Sequence, residues 1–198
     1  MPPEPETLII PPECCTHALD VDSLFPGHGP FEVDIGCGKG RFLIARARAN
    51  PHTRYLGIDR LHRRMAKLDK RVIRHGVQNV RLLVMEAAHA IELIIPPLSV
   101  SAYYLFFPDP WPKRRHHRRR LCNRAFVECL HRTMLAGAHL HIATDHLEYF
   151  RAIADLLQKD SRFAEAPVFE PAPEERTDFE VLFLAKSAAI GRASFRKL

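Results

Sequence analysis

At 198 residues the chain is long enough for one domain with a real core and too short for two comfortable ones. The 46% hydrophobic and 26% charged fractions are ordinary for a globular protein, but 29 Lys+Arg against 23 Asp+Glu leave a net charge of +6, which suits a polyanionic partner. No window approaches the roughly 18 apolar residues of a membrane span, no basic-then-apolar leader opens the chain, and five cysteines form no CxxC pair. A cytoplasmic protein in a reducing compartment is expected, without membrane attachment.

Residues 1–30 are proline-rich and aperiodic, and are expected to form an extended arm that wraps the domain without joining its sheet. Residues 31–198 read as one domain. Residues 31–35 predict a strand, 41–49 a helix, 55–58 a strand, and 61–75 a helix with Leu61, Met65, Leu68 and Val72 on one stripe. There follow a strand at 80–85, a short helix at 89–93, a break at Pro96-Pro97 and a strongly apolar strand at 102–107. A helix at 124–135, a strand at 140–143 and a helix at 147–157 continue the alternation. Residues 179–184 and 188–195 read as two strands with no helix between them, an antiparallel pair closing the sheet. The expected fold is α/β: a doubly wound, mostly parallel seven-stranded sheet with helices on both faces and an antiparallel C-terminal strand pair.

"VDIGCGKGRF" leaves the first strand and enters the first helix of this alternation through Gly36, Gly38 and Gly40. Glycines there permit a tight turn and a close approach of ligand to backbone. Charge selects the ligand class. A dinucleotide would set a pyrophosphate at the helix start, beside the Asp34 carboxylate, whereas S-adenosylmethionine (AdoMet) carries an ammonium and a sulfonium that an acid tolerates or favours. Asp59, at the end of the second strand, is placed to accept from two ribose hydroxyls. Glu86, at the end of the third, is placed either to accept from the adenine amino group or simply to face solvent. Successive acids along the carboxyl edge of a doubly wound sheet stand where such folds bind ligands.

The strand at 102–107 delivers Asp109 to the same edge, between Pro108 and Pro110, which restrict its backbone. Trp111, the only tryptophan, is placed to stack on a base or to cover the core. Between Lys113 and Arg120 stand six basic residues and two histidines, and between Arg60 and Arg74 seven basic residues and one acid. These runs, with Arg114 and Arg115 at the head of the first, are either phosphate grips or solvated faces. The adjacent His116-His117 and the strand-sharing His139 and His141 find no third ligand, so no metal is expected.

From about residue 31 onward, "FFPDPWPK", the basic "RRHHRRR", "ATD" in the next strand and "RTDFE" near the C-terminus resemble the tRNA (guanine-N7-)-methyltransferases of the bacterial single-subunit type. The resemblance implies a class I AdoMet-dependent fold and methylation of a guanine in the tRNA variable loop, with no obligatory protein partner and a monomer or homodimer. It implies AdoMet contacts at Asp34, Asp59, Glu86 and Asp109, and substrate contacts at Lys113, Asp145 and the stretch Thr177, Asp178, Phe179 and Glu180. Asp34 and Asp59 stand where the family commonly has Glu, and Asp178 where it usually has Lys. Two other readings stay open: a non-catalytic RNA-binding protein on the same fold, and an AdoMet methyltransferase of another substrate.

Overall fold

The structure is a computed structural model that describes residues 7–198; the first residues of the proline-rich arm lie outside it. A seven-stranded sheet runs in the order β3-β2-β1-β4-β5-β7-β6. Its strands are β1 (Phe31–Ile35), β2 (Arg54–Asp59), β3 (Val80–Val84), β4 (Val100–Phe106), β5 (Met134–Thr144), β6 (Phe163–Ala166) and β7 (Gly191–Lys197). The first five strands are parallel, and β7 lies antiparallel between β5 and β6. The helices are α1 (Val21–Leu24), α2 (Arg41–Ala49), α3 (His62–Arg74), α4 (Ala87–His89), α5 (Arg124–Thr133), α6 (Leu147–Gln158) and α7 (Asp178–Ala185).

Strand alternation divides the core into two layers. Phe31, Val33 and Ile35 pack with Ile91, Ile94, Phe126 and Ile153 on one face, which belong to a π-type turn at Ala90–Ile94 and to α5 and α6. On the other face, Phe42 and Leu43 of α2 and Met65, Leu68 and Val72 of α3 pack on Tyr55, Tyr104 and Phe106. Helices on both faces make the sheet doubly wound, as the alternation predicts. Leu61 departs from the predicted stripe: it caps α3 and is exposed.

Two expectations need correction. Residues 179–184 are not a strand but the middle of α7. The apolar run FEVLFLA looks like a buried strand, yet Thr177 accepts from the Glu180 N–H at 3.0 Å and caps a helix start, with Asp178 and Glu180 in its first turn. The antiparallel partner of β7 is instead β6, a short segment without a marked pattern. The arm also does touch the sheet: Ile10 N–H donates to Leu82 O at 2.8 Å and Leu82 N–H to Leu8 O at 3.0 Å, forming one parallel bridge on the β3 edge. The buried Asp69 of α3 fixes that contact, accepting from Leu8 N–H at 2.8 Å and Thr7 Oγ1 at 3.1 Å.

Candidate active site at the carboxyl edge of the sheet

A cleft of about 650 Å³ opens at the carboxyl ends of β1, β2, β3 and β4, the edge where doubly wound sheets bind ligands. Gly36, Asp59, Glu86, Asp109 and Phe179 line it, so four loops and α7 bring five of the sequence-derived candidates to one wall. Gly36 has φ +76° and a Cβ there would meet nothing within 4 Å, so the backbone faces open space that a ligand can use. Gly40, at φ +71°, answers a different need: a Cβ would lie 2.2 Å from Leu68 Cδ1, so glycine permits α2 to start against α3. Gly38, at φ +59°, completes the turn.

Asp34 is not on the wall. It is buried below the glycine turn, and desolvation, then the neighbouring Asp59 charge, pushes its carboxyl up to about 7. Cys37, inside the turn, is held well above its ordinary pKa by burial and then by the charges of Asp34 and Asp59, which favours the thiol over the thiolate. Asp59 is buried with its carboxylate at the cleft, accepting from the Leu61 N–H at 2.9 Å and from Arg64 Nη1 at 2.9 Å. Glu86 is exposed and sits 3.9 Å from Arg60.

Asp109 leaves β4 on a constrained loop. Phe107 and Trp111, on either side of Pro108-Asp109-Pro110, have φ of +52° and +43°, a left-handed conformation that costs a non-glycine residue on the order of 1 kcal/mol or more. Three contacts hold that strain. Phe107 N–H donates to Ala143 O at 2.7 Å, its ring packs on Phe179 and Phe183 of α7, and Arg120 Nε donates to Pro110 O at 2.9 Å. Arg120 is 8% exposed, lies over the Tyr149 ring and forms a bidentate pair with Glu148, whose carboxyl it holds below the usual range. The last arginine of the basic run therefore builds the Asp109 loop.

The rest of that run forms a 3₁₀ turn at Arg114–Arg119. Lys113, Arg114, Arg115 and Arg118 are exposed, while Arg119 reaches the cleft and lies 4.9 Å over Trp111, which also lines it. Asp145, half-buried at the end of β5, stands on the same sheet edge but outside the cleft wall. Thr177 caps α7, Asp178 is exposed, and Phe179 reaches the cleft while remaining 56% exposed. Glu180 is 2% exposed and its carboxylate is bonded by Arg192 of β7, with Arg176 3.7 Å away. It anchors α7 beside the cleft, inward from the surface that a substrate would meet.

Sequence reasoning missed Arg64, Arg119, Arg120 and Phe107. A stretch rich in arginine does not reveal which guanidinium turns inward, and positive φ at Phe107 and Trp111 has no glycine or asparagine to announce it.

The sheet order, with β7 antiparallel beside β5, and the acid-lined cleft define a class I AdoMet-dependent methyltransferase fold. Solved structures agree on the fold. A SAM-dependent methyltransferase from Aquifex aeolicus superposes with a TM-score of 0.61 at 15% identity, covering 87% of this chain and 84% of that one. The 16S rRNA methyltransferase KamB gives 0.64 at 13%, covering 92% and 94%. A family profile described as "Putative methyltransferase" matches residues 28–191.

The chain belongs to the tRNA (guanine-N(7)-)-methyltransferase family. It is 33% identical over 183 residues to the enzyme so named from Halorhodospira halophila, covering 90% of this chain and 79% of that protein. It is 36% identical over 166 residues to the one from Methylobacillus flagellatus, covering 82% and 70%. With the Nocardia farcinica relative the identity is 41% over 136 residues, and the chain spans only 51% of that protein's length.

Proposed function

We propose that this chain methylates N7 of a guanine in the variable loop of tRNA, with AdoMet as methyl donor, in the cytoplasm. The observation that carries the reading is the position of Asp109: it shares one cleft wall with Asp59 and Glu86, and the cationic run begins four residues later.

The cleft suits AdoMet. Its wall has an open backbone at Gly36, carboxylates at Asp59 and Glu86 for ribose and adenine, and apolar Ile35, Ile58, Met85 and Leu105 for the flat parts of the nucleoside. Asp34 lies below the turn, where its ionised form favours a cationic ligand over a pyrophosphate. Bound AdoMet supplies an electrophilic methyl group on a sulfonium.

Guanine N7 carries a lone pair and no proton, so no side chain need act as a base to create the nucleophile. The protein's task is alignment, and a constrained loop performs it better than a mobile one. As the N7–C bond forms and the S–C bond breaks, positive charge passes to the purine. Asp109, with Asp145 nearby on the same edge, offsets that charge and accepts from the guanine N1 and N2 donors that adenine lacks. Unstacking the target base costs a few kcal/mol. Phosphate contacts from Lys113, Arg114 and Arg115 offset it, and the Trp111 and Phe179 rings offer surfaces for the displaced base.

Nucleoside analysis of tRNA incubated with the protein and AdoMet tests the reading. N7-methylguanosine is the expected product; methylation of another base, or none, overturns it.

A further inference from the structure

Asp59, the carboxylate placed to receive the ribose, already has a partner. Its Oδ1 accepts from the Leu61 N–H and its Oδ2 from Arg64 Nη1, each at 2.9 Å. The Asp59 side chain is 6% exposed and that of Arg64 43% exposed, so the guanidinium is the outer member and covers the acid from the cleft side. Arg64 and the Leu61 N–H each take one acceptor position of the carboxylate, so a ribose diol that bonds Oδ2 competes with the guanidinium. A half-exposed ion pair is weak beside hydrogen bonds from a diol to a carboxylate fixed in a cleft, so the exchange runs towards the ribose. A cationic cofactor adds to it by repelling the guanidinium.

The place to which Arg64 would move is also defined. It lies on the first turn of α3, a helix whose Arg63, Lys67 and Lys70 are exposed, as is Arg60 just before it. It lines the cleft together with Arg119 of the other basic segment. Two arginines, one from each basic segment, therefore face the cleft that a base would enter.

We propose that Arg64 is a place-holder on Asp59 that cofactor binding displaces, and that the freed guanidinium then takes a phosphate of the incoming RNA, so cofactor and tRNA bind with positive coupling. The second half rests on the tRNA reading given above; the first half does not.

Titration calorimetry with AdoMet and with S-adenosylhomocysteine, without RNA, tests the exchange. Arg64→Gln is expected to bind both ligands about fivefold tighter or more, because no ion pair must be broken first. Added salt is expected to tighten the binding of S-adenosylhomocysteine, which carries no net charge, to the wild type and leave the variant unchanged. Arg63→Gln, on the same helix turn, should match the wild type. Weaker or unaltered cofactor binding by Arg64→Gln overturns the exchange; weaker binding would make Arg64 a cofactor ligand itself.

tRNA binding with and without saturating S-adenosylhomocysteine tests the coupling. In the wild type the ligand should tighten tRNA binding about fivefold and steepen the log–log salt slope by about 0.7–0.9, the value of one phosphate contact. Arg64→Gln should show neither effect. Coupling that persists in the variant overturns the second half. A wild type that binds no tRNA overturns it together with the tRNA reading, while the calorimetry still decides the exchange at Asp59.

Discussion

Helix α3 and the run after β4 are both cationic segments that leave the carboxyl end of a strand, and each turns inward an arginine that pairs with a carboxylate. The inward arginines differ in depth. Arg120 is 8% exposed and spends three donors on Pro110 O and the two Glu148 oxygens; Arg64, 43% exposed, spends one on Asp59. The first is a fixed strut for the Asp109 loop and the second a cover that can lift. Like charges in like sequence contexts thus differ in their work, support at one and cover at the other, and the grip proposed for the exposed remainder is a third.

The largest expected effect comes from removing the strut. Arg120→Met should destabilise the fold by about 2 kcal/mol in chemical denaturation, the scale of a missing buried hydrogen bond to Pro110 O with its packing over Tyr149, and should abolish methyl transfer. Glu148 is largely exposed and returns to water, which keeps the destabilisation from being larger. Unchanged stability and rate would erase the distinction between the two arginines.

Next in size is reversal of the grip. Arg114→Glu with Arg115→Glu should weaken tRNA binding at least about tenfold at low salt and flatten its salt slope by about 0.7–0.9 for each phosphate released, with stability and AdoMet affinity unchanged. A wild-type tRNA affinity and slope would reduce the run to a solvated face.

A smaller effect is expected at the acid beneath the cover. Asp59→Ala should weaken AdoMet binding by about 1 kcal/mol or more, with a normal circular dichroism spectrum. Unchanged affinity in calorimetry would remove Asp59 from the cofactor site.

The fourth expectation is a pH dependence. Asp34 is raised from an ordinary value near 3.8 to about 7, so the folded protein holds its proton more tightly than the unfolded chain. Its contribution to stability is complete below about pH 4 and is lost as pH rises to about 7. A cationic ligand favours the carboxylate, so AdoMet affinity should rise with pH up to about 7, by at most about tenfold per unit. Both slopes should vanish in Asp34→Asn; slopes that survive there belong to another group.

Much of this site can be read from local sequence because local rules place it. The glycine turn, Asp59 and Glu86 follow directly from strand ends, and Asp109 from an apolar strand between prolines. What stayed hidden depends on partners distant in sequence. Glu180 meets Arg192 on β7, and Arg120 meets Glu148 on α6; no spacing rule links them. The α7 helix was hidden for another reason. Its apolar residues leave no polar face to reveal a helical period, although Thr177 and Glu180 stand at the spacing of a capping box. β6 is too short a segment for alternation to register.

Asp109 is where the cofactor wall and the cationic run meet, and Asp109→Asn keeps its shape while removing its charge. Single-turnover methyl transfer to tRNA, at saturating AdoMet and tRNA, measures that charge directly. The rate should fall on the order of 100-fold, the scale of removing one preorganised electrostatic interaction, with tRNA binding little changed. A wild-type rate would contradict the account and leave Asp109 an ordinary loop residue at the mouth of the cleft.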